Sequence, residues 1–333
     1  MSTLDNLSTR VAVQPLFPKI CYKDNIMMAG SCFAEHMVLK CRRYKYNVSG
    51  NPFGILYNPI ALARSFERIS NKEHYLQEEL ISQDGLFHSM DHHGSFSGES
   101  VEAVLKGINE SINITHHFLS QCKWLFISLG TSRVFRYTAT GNVVGNNHKI
   151  PRTHFEELSL TVDDCVKALN KIFETTKKLC PDVNIIWTVS PIRHLKDGLI
   201  NNNRSKAALI LAIEQIIKLH PATNYFPAYE IMMDQLRDYR FYARDLIHPS
   251  EMAIDIIWEA LIENYFDPHE REQHHALEKI MKAKEHRILH SNKTNTRIFA
   301  EGQLRNIDHL SSLFPELNLK EERQYFFRMI EPD

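Results

Sequence analysis

Short, unbroken apolar runs alternate along this chain with longer stretches in which apolar side chains recur every three or four residues. NIMMA (Asn25 to Ala29) is a short apolar run ending at a glycine. Phe33 to Tyr44 then carries apolar residues at Phe33, Met37 and Val38 or Cys41, the spacing of one helix face. WLFISLG (Trp124 to Gly130) and NIIWTVSP (Asn184 to Pro191) have the length and composition of buried strands. Between them, Thr161 to Leu179 is predicted helical, with Thr161 or Asp163 as its N-cap. Arg204 to Leu219 is a further amphipathic helix, NYFPAYE a short strand entering a polar turn, and Met252 to Tyr265 a helix opened by Pro249-Ser250. This β-α-β-α order predicts a parallel sheet flanked by helices. Ligands of such sheets bind beyond the carboxyl ends of the strands, which puts Ser31, Thr131, Pro191 and the 240s loop along one edge.

Two segments break the rhythm. Val134 to Pro151 alternates around Thr140-Gly141-Asn142 and is read as an inserted β-hairpin. From Asp267 the composition becomes charged, with a helix over Arg271 to Arg287 and a late apolar patch at Tyr325 to Ile330. The chain is therefore read as a main domain over 1–266 and a helical C-terminal extension over 267–333. The extension packs on the body or on a second copy of the chain, the latter being a route to a homo-oligomer.

Composition narrows the function. With 333 residues, 43% hydrophobic and 24% charged, the chain buries a sizeable core. A formal net charge of -1 gives no general attraction to nucleic acid or to an anionic membrane. No apolar run reaches the roughly 18 residues of a membrane span. The start, MSTLDNLSTRVAVQPLF, lacks the basic and apolar regions of a secretory signal, so a cytoplasmic location is expected. Cys21, Cys32, Cys41, Cys122, Cys165 and Cys180 form no CxxC pair and are expected as reduced thiols. The histidines form no HExxH pattern, and neither a metal nor an organic cofactor is expected.

The residues that can carry chemistry begin with GSCFAEHM. A serine hydroxyl is a poor nucleophile unless a base lies within hydrogen-bond reach and an acid fixes the tautomer of that base. RDLIHPS supplies both, as Asp245 and His248, from one loop. A Gly-Ser turn and a DxxH pair each arise often by chance, and their order in an α/β chain is what joins them. Cys32 is a second candidate nucleophile, because a helix N-terminus favours negative charge there. Adjacent residues at a strand–helix turn point in different directions, so only one of the two faces His248.

GSCFAEH, NPFGILYNP, LGTS, TVSPIRH, YFPAYE and DYRFYARDLIHPS resemble the GSCFA family, which is grouped with the SGNH (GDSL-like) hydrolases. The resemblance covers nearly the whole chain. It implies a three-layer α/β/α, flavodoxin-like fold with a parallel central sheet. It further implies a serine esterase with Ser31 as nucleophile, His248 as base and Asp245 orienting that base, with Cys32 packed behind the nucleophile. The oxyanion hole falls to the backbone of Ser31, to Gly54, and to Asn51 or Thr131. The block written GxND in relatives is Gly130-Thr131-Ser132-Arg133 here, and the missing asparagine is a donor typically worth about 3 kcal/mol. In VVGNNHKIP, Asn147 stands where the family has a cysteine. His93, His148, Arg193 and His194 are the expected substrate-binding residues. The expected substrate is a small-molecule or glycan O-acyl ester, such as an acetyl ester on a carbohydrate. Acyl transfer to a glycan-type acceptor and a non-catalytic ligand-binding module are the alternatives.

Overall fold

The apolar run before GSCFA forms a fully buried strand, β1 (Ile26–Gly30), in the computed structural model, which describes residues 9–285 and 293–330. The body continues with α1 (Cys32–Arg43), β2 (Val48–Gly50), α2 (Pro59–Asn71), β3 (Leu80–Gln83), β4 (Leu86–Ser89) and α3 (Val101–Ser120). Then come β5 (Trp124–Leu129), β6 (Arg133–Tyr137), β7 (Phe155–Ser159), α4 (Val162–Leu179), β8 (Asn184–Val189), α5 (Leu199–Leu219) and β9 (Asn224–Tyr225). A short α6 (Ala228–Glu230) precedes α7 (Glu251–Tyr265), and α8 (Arg271–Glu285), α9 (Lys293–Leu313) and α10 (Lys320–Arg328) form the C-terminal extension.

The central sheet is parallel, in the order β2-β1-β5-β8-β9. Counted along the chain this is the 2-1-3-4-5 order of flavodoxin-like folds, whose switch point lies between the first and third strands. Here that crevice opens at the carboxyl ends of β1 and β5. Alternation along the strands sorts the core into two layers. Ile26, Met28, Trp124 and Phe126 face α1 and α7, whereas Met27, Ala29, Leu125 and Ile127 face the layer of α2 to α5. The fold is thus a three-layer α/β/α sandwich. Helix α1 is fixed by Ser31 as N-cap and by Phe33, Met37, Val38 and Cys41 on its buried face. Helix α4 starts at Thr161, whose capping box with Asp164 satisfies two end groups at once.

The inserted hairpin stands, but its second strand is not where alternation placed it. β6 pairs antiparallel with β7, and Thr140-Gly141 turns inside a long connection that returns to β6 at the Arg136–Val143 bridge, where the Val144 N–H donates to the Phe135 carbonyl and the Tyr137 N–H to the Asn142 carbonyl, before leaving it. Val144, Ile150 and Phe155 share a small core, so burying that connection outweighed continuing the ladder. A second hairpin, β3–β4, turns at Asp84 and Gly85, both with positive φ. Asp-Gly is a strong signal for such a turn.

The extension lays its apolar face on the body. Leu277, Ile280, Ala300, Ile307 and Phe326 join the same core as Trp258 and Tyr265 of α7. The charged helix expected to end at Arg287 is seen to Glu285, and its last two residues lie outside the described residues. All six cysteines are free thiols, and no described helix is long and apolar enough to cross a membrane.

Glu270 sits at the seam between body and extension. It accepts hydrogen bonds from the Tyr22 N–H (2.8 Å) and the Tyr46 O–H (3.0 Å). Burial, with Asp267 and Asp24 adding to it, still pushes its carboxyl up to about 7. A carboxyl raised on folding stabilises fully below its unfolded pKa, and that contribution fades as pH rises through 7. Relative to a Glu270→Gln variant, the wild type is expected to lose a few degrees of melting temperature between pH 5 and pH 8. Parallel melting curves for the two proteins over that range would contradict this.

Candidate active site

Gly30 ends β1 at φ +124°, and a Cβ there would lie 2.1 Å from the Ser128 carbonyl oxygen of β5. Only glycine brings the first helix this close to the neighbouring strand. The next two residues then diverge. Ser31 is the N-cap of α1 and is 1% exposed. Its N–H donates to the Ser128 carbonyl (3.0 Å), and its Oγ accepts from the Phe33 N–H (3.3 Å) and bonds the Ser128 Oγ (2.8 Å). Cys32, the first helical residue, is half-buried and lines a cleft of about 610 Å³ over the switch point. Its Sγ lies 3.4 Å from the Tyr57 hydroxyl. As the first residue of a helix, Cys32 has no intrahelical acceptor for its N–H.

His248 borders the same cleft. Its loop is closed by the Ala243 N–H donating to the His248 carbonyl (2.8 Å), with Leu246 at φ 57° between Asp245 and His248. Asp245 Oδ1 accepts from the N–H groups of Ile247 and His248 at 3.0 Å each, and Oδ2 accepts from His248 Nδ1 at 2.6 Å. The two backbone N–H groups, then the imidazole, pull the Asp245 carboxyl down to about 2. Nδ1 therefore carries the proton, and Nε2, with no partner among the described residues, is the ring's free lone pair. The ring is 43% exposed, whereas the Ser31 hydroxyl is buried and already bonded on the far side of the turn. The structure thus brings Asp245 and His248 together, puts Cys32 in the cleft that His248 borders and leaves Ser31 out of it. The expected burial of the two neighbours is reversed, because the N-cap side chain must turn back onto the helix end.

The expected oxyanion donors are largely committed elsewhere. Gly54 has φ 74° and donates its N–H to the Asn51 carbonyl (2.8 Å), and the Asn51 Oδ1 accepts from the Gly30 N–H (2.9 Å). Neither residue lines the cleft. Thr131 does, but its N–H donates to the Tyr57 carbonyl (3.0 Å). Ser132, at the missing asparagine, is 1% exposed and donates its N–H to the Ser205 Oγ (2.7 Å).

Among the expected binding residues, His93, Arg193 and His194 line the cleft. His148 does not: it is buried, 2.8 Å from the Ser89 carbonyl through Nε2. Asn147, at the family cysteine position, borders the cleft instead. Burial and the charge of Lys206 hold the His194 imidazole down to about 4, so it is neutral, and its ring meets Tyr57 edge-on at 5.3 Å. His92, the neighbour of His93, is stacked on Phe53 at 4.0 Å in the core. Among the described residues, no group of histidine, cysteine and carboxylate side chains is arranged to hold a metal.

Two residues that matter here escaped the sequence reading. Tyr57 lies inside NPFGILYNP, where its ring reads as core. Lys206 lies three residues before Leu209 on the buried face of α5 and is 1% exposed. Its Nζ donates to the carbonyls of Gly130 (2.7 Å) and Ser190 (2.8 Å), joining the ends of β5 and β8. A lysine on an apolar helix face was the available signal.

A flavodoxin-order sheet with Cys32 and His248 on one cleft at its strand ends defines a three-layer α/β protein whose candidate site lies at that edge. The chain belongs to the GSCFA family, whose model matches residues 25–261, and residues 277–332 match the GSCFA domain protein, C-terminal domain. No curated protein matches the sequence. Among solved structures, one from Streptococcus pneumonia, provisionally described as a platelet activating factor, is 11% identical with a TM-score of 0.40, covering 76% of this chain and 85% of its own. A carbohydrate esterase family 3 structure from Talaromyces cellulolyticus is 9% identical with a TM-score of 0.37, covering 72% of this chain and 94% of its own. An acetyl xylan esterase from the rumen bacterium Butyrivibrio proteoclasticus is 10% identical with a TM-score of 0.34, covering 73% and 63%.

Proposed function

We propose that the protein is a thiol-dependent hydrolase of O-acyl esters, with an SGNH-like arrangement in which Cys32 replaces the serine. The observation that carries this reading is the placement of Cys32 in the cleft bordered by His248, which Asp245 holds through Nδ1, with Ser31 buried on Ser128. The motif agrees with it. Aligned glycine on glycine, the serine of GDS falls on the third residue of GSC, which is Cys32.

In this mechanism His248 Nε2 takes the thiol proton as Sγ attacks the ester carbonyl. Asp245 holds the tautomer and stabilises the imidazolium. Negative charge on the tetrahedral oxygen meets the unpaired Cys32 N–H at the helix N-terminus. The second donor is the Tyr57 O–H, which burial keeps protonated. Collapse expels the alcohol, which leaves with the proton from His248, and a thioester remains on Cys32. Water, deprotonated by His248, then releases the acid and restores the thiol. A carbohydrate O-acetyl ester is the substrate class in keeping with the family resemblance. An acceptor hydroxyl in place of water turns the same steps into acyl transfer.

The second reading is a ligand-binding module. Among the described residues His248 Nε2 has no hydrogen-bond partner and the N–H groups of Gly54 and Thr131 are committed, and both favour it. Hydrolysis of p-nitrophenyl acetate by wild type, Ser31→Ala, Cys32→Ala and His248→Ala separates the readings. Loss in Cys32→Ala and His248→Ala, with Ser31→Ala active, is the expected result. Loss in Ser31→Ala and His248→Ala with Cys32→Ala active returns the nucleophile to Ser31. A wild type no faster than its variants favours the binding module.

A further inference from the structure

Arg193 is a half-buried cation on the cleft wall, and its guanidinium meets no carboxylate among the described residues. Its hydrogen bonds run to the thioether sulfur of Met233, at 2.9 Å from Nη2 and 3.2 Å from Nε. A thioether is a weak acceptor, so the planar fork remains under-used. The cleft does hold carboxylates, but both are engaged elsewhere. Asp197 pairs with Arg133 at 3.3 Å, and Glu157 pairs with Arg133 at 3.2 Å and with Arg152. Lys196, on the same wall, forms no ion pair among the described residues. Beneath Arg193, the buried Lys206 is held by carbonyl oxygens, and the charge of Arg193 bears on it directly. Arg193 and Lys196 meet no carboxylate among the described residues, so this end of the cleft carries unpaired positive charge.

A partly desolvated guanidinium without a carboxylate is costly to keep unless something else supplies the acceptors. Its fork geometry matches two oxygens of one anionic group, as in carboxylates and phosphates. We infer that Arg193 is the anion-recognising residue of this cleft, and that the compound bound there carries a carboxylate or phosphate close to its acyl ester. This deepens the hydrolase reading and rests on it for the ester, but the anion site is testable without turnover. His194, neutral, edge-on to Tyr57 and on the same cleft wall, fits an uncharged part of the ligand.

Calorimetry on the full-length Cys32→Ala protein tests this with charged and uncharged probe pairs. One pair is monomethyl glutarate against dimethyl glutarate; the other is 2-acetoxyethyl phosphate against 2-acetoxyethanol. At least one anionic probe is expected to bind about tenfold or more tightly than its uncharged partner, the usual worth of a hydrogen bond to a charged group. The probe that shows the preference identifies the anion as carboxylate or phosphate. The preference is expected to shrink as sodium chloride is raised and to vanish in Cys32→Ala/Arg193→Gln. The salt series tests it even if the double variant folds poorly. Equal binding within both pairs, no heat from either anion, or a preference that survives Arg193→Gln overturns the inference. An anion preference in a protein whose wild type hydrolyses no ester leaves the anion site standing and removes the hydrolase reading. Wild-type ester turnover without an anion preference does the reverse.

Discussion

Replacing Cys32 with alanine is expected to reduce ester turnover to background, and replacing it with serine to leave roughly a hundredth or less. The difference between the two replacements is chemical. A thiol needs little help to become nucleophilic near neutral pH, whereas a hydroxyl depends on a base in close contact. Among the described residues, His248 Nε2 bonds to neither nucleophile, so a serine at Cys32 would depend on a contact the resting cleft does not supply. Replacing His248 with alanine is expected to cost about 10² to 10⁴ in turnover, the usual contribution of a general base. Replacing Ser31 with alanine removes an N-cap, worth about 1 kcal/mol, and orphans the buried Ser128 hydroxyl. Its expected signature is a lower melting temperature with turnover retained. Steady-state kinetics and melting curves on the four variants read both effects. A dead Ser31→Ala enzyme beside an active Cys32→Ala enzyme would mean that the helix start rearranges to let His248 reach Ser31.

Most of the scaffold was legible because its signals are local. β1, β5 and β8 are unbroken apolar runs ending at a glycine or before a proline, and α1, α4 and α7 carry their caps and apolar faces in plain view. Asp245 and His248 were legible for the same reason, since three residues of one loop hold both. The choice between Ser31 and Cys32 was not local. It depends on the Ser128 hydroxyl, 97 residues away, which draws the N-cap side chain into the sheet. The main partner of β6 was lost in the same way, because the chain leaves β6 after Val144 to bury Ile150 beside Phe155, and the ladder is continued by the more distant β7. His148 looked like a cleft residue until the fold turned it toward Ser89. Long-range contacts decide which of two neighbouring residues faces a cleft, and spacing alone does not carry them.

Lys206 is the buried residue whose loss is expected to do the most damage. Its ammonium is the donor to the carbonyls of Gly130 and Ser190, which lead into the loops of Thr131 and of Arg193 and His194. Lys206→Met keeps the volume but leaves two buried acceptors without that donor, a cost of about 3 kcal/mol. In a domain of this size that is several degrees of melting temperature. Loosening both loops also displaces the cleft wall, and kcat/KM is expected to fall by roughly a hundredfold. Lys206→Gln, which keeps two N–H donors, is expected to recover part of both. The pH dependence separates this role from simple packing. Burial, then the charge of Arg193, pulls Lys206 down to about 7. Between that value and its unfolded pKa near 10.4, the unfolded chain binds the extra proton, so wild-type stability rises with pH. The gap in melting temperature between wild type and Lys206→Met is therefore expected to widen from pH 7 to pH 9. A gap independent of pH would mean that Lys206 holds its proton equally in both states and that burial does not set its charge.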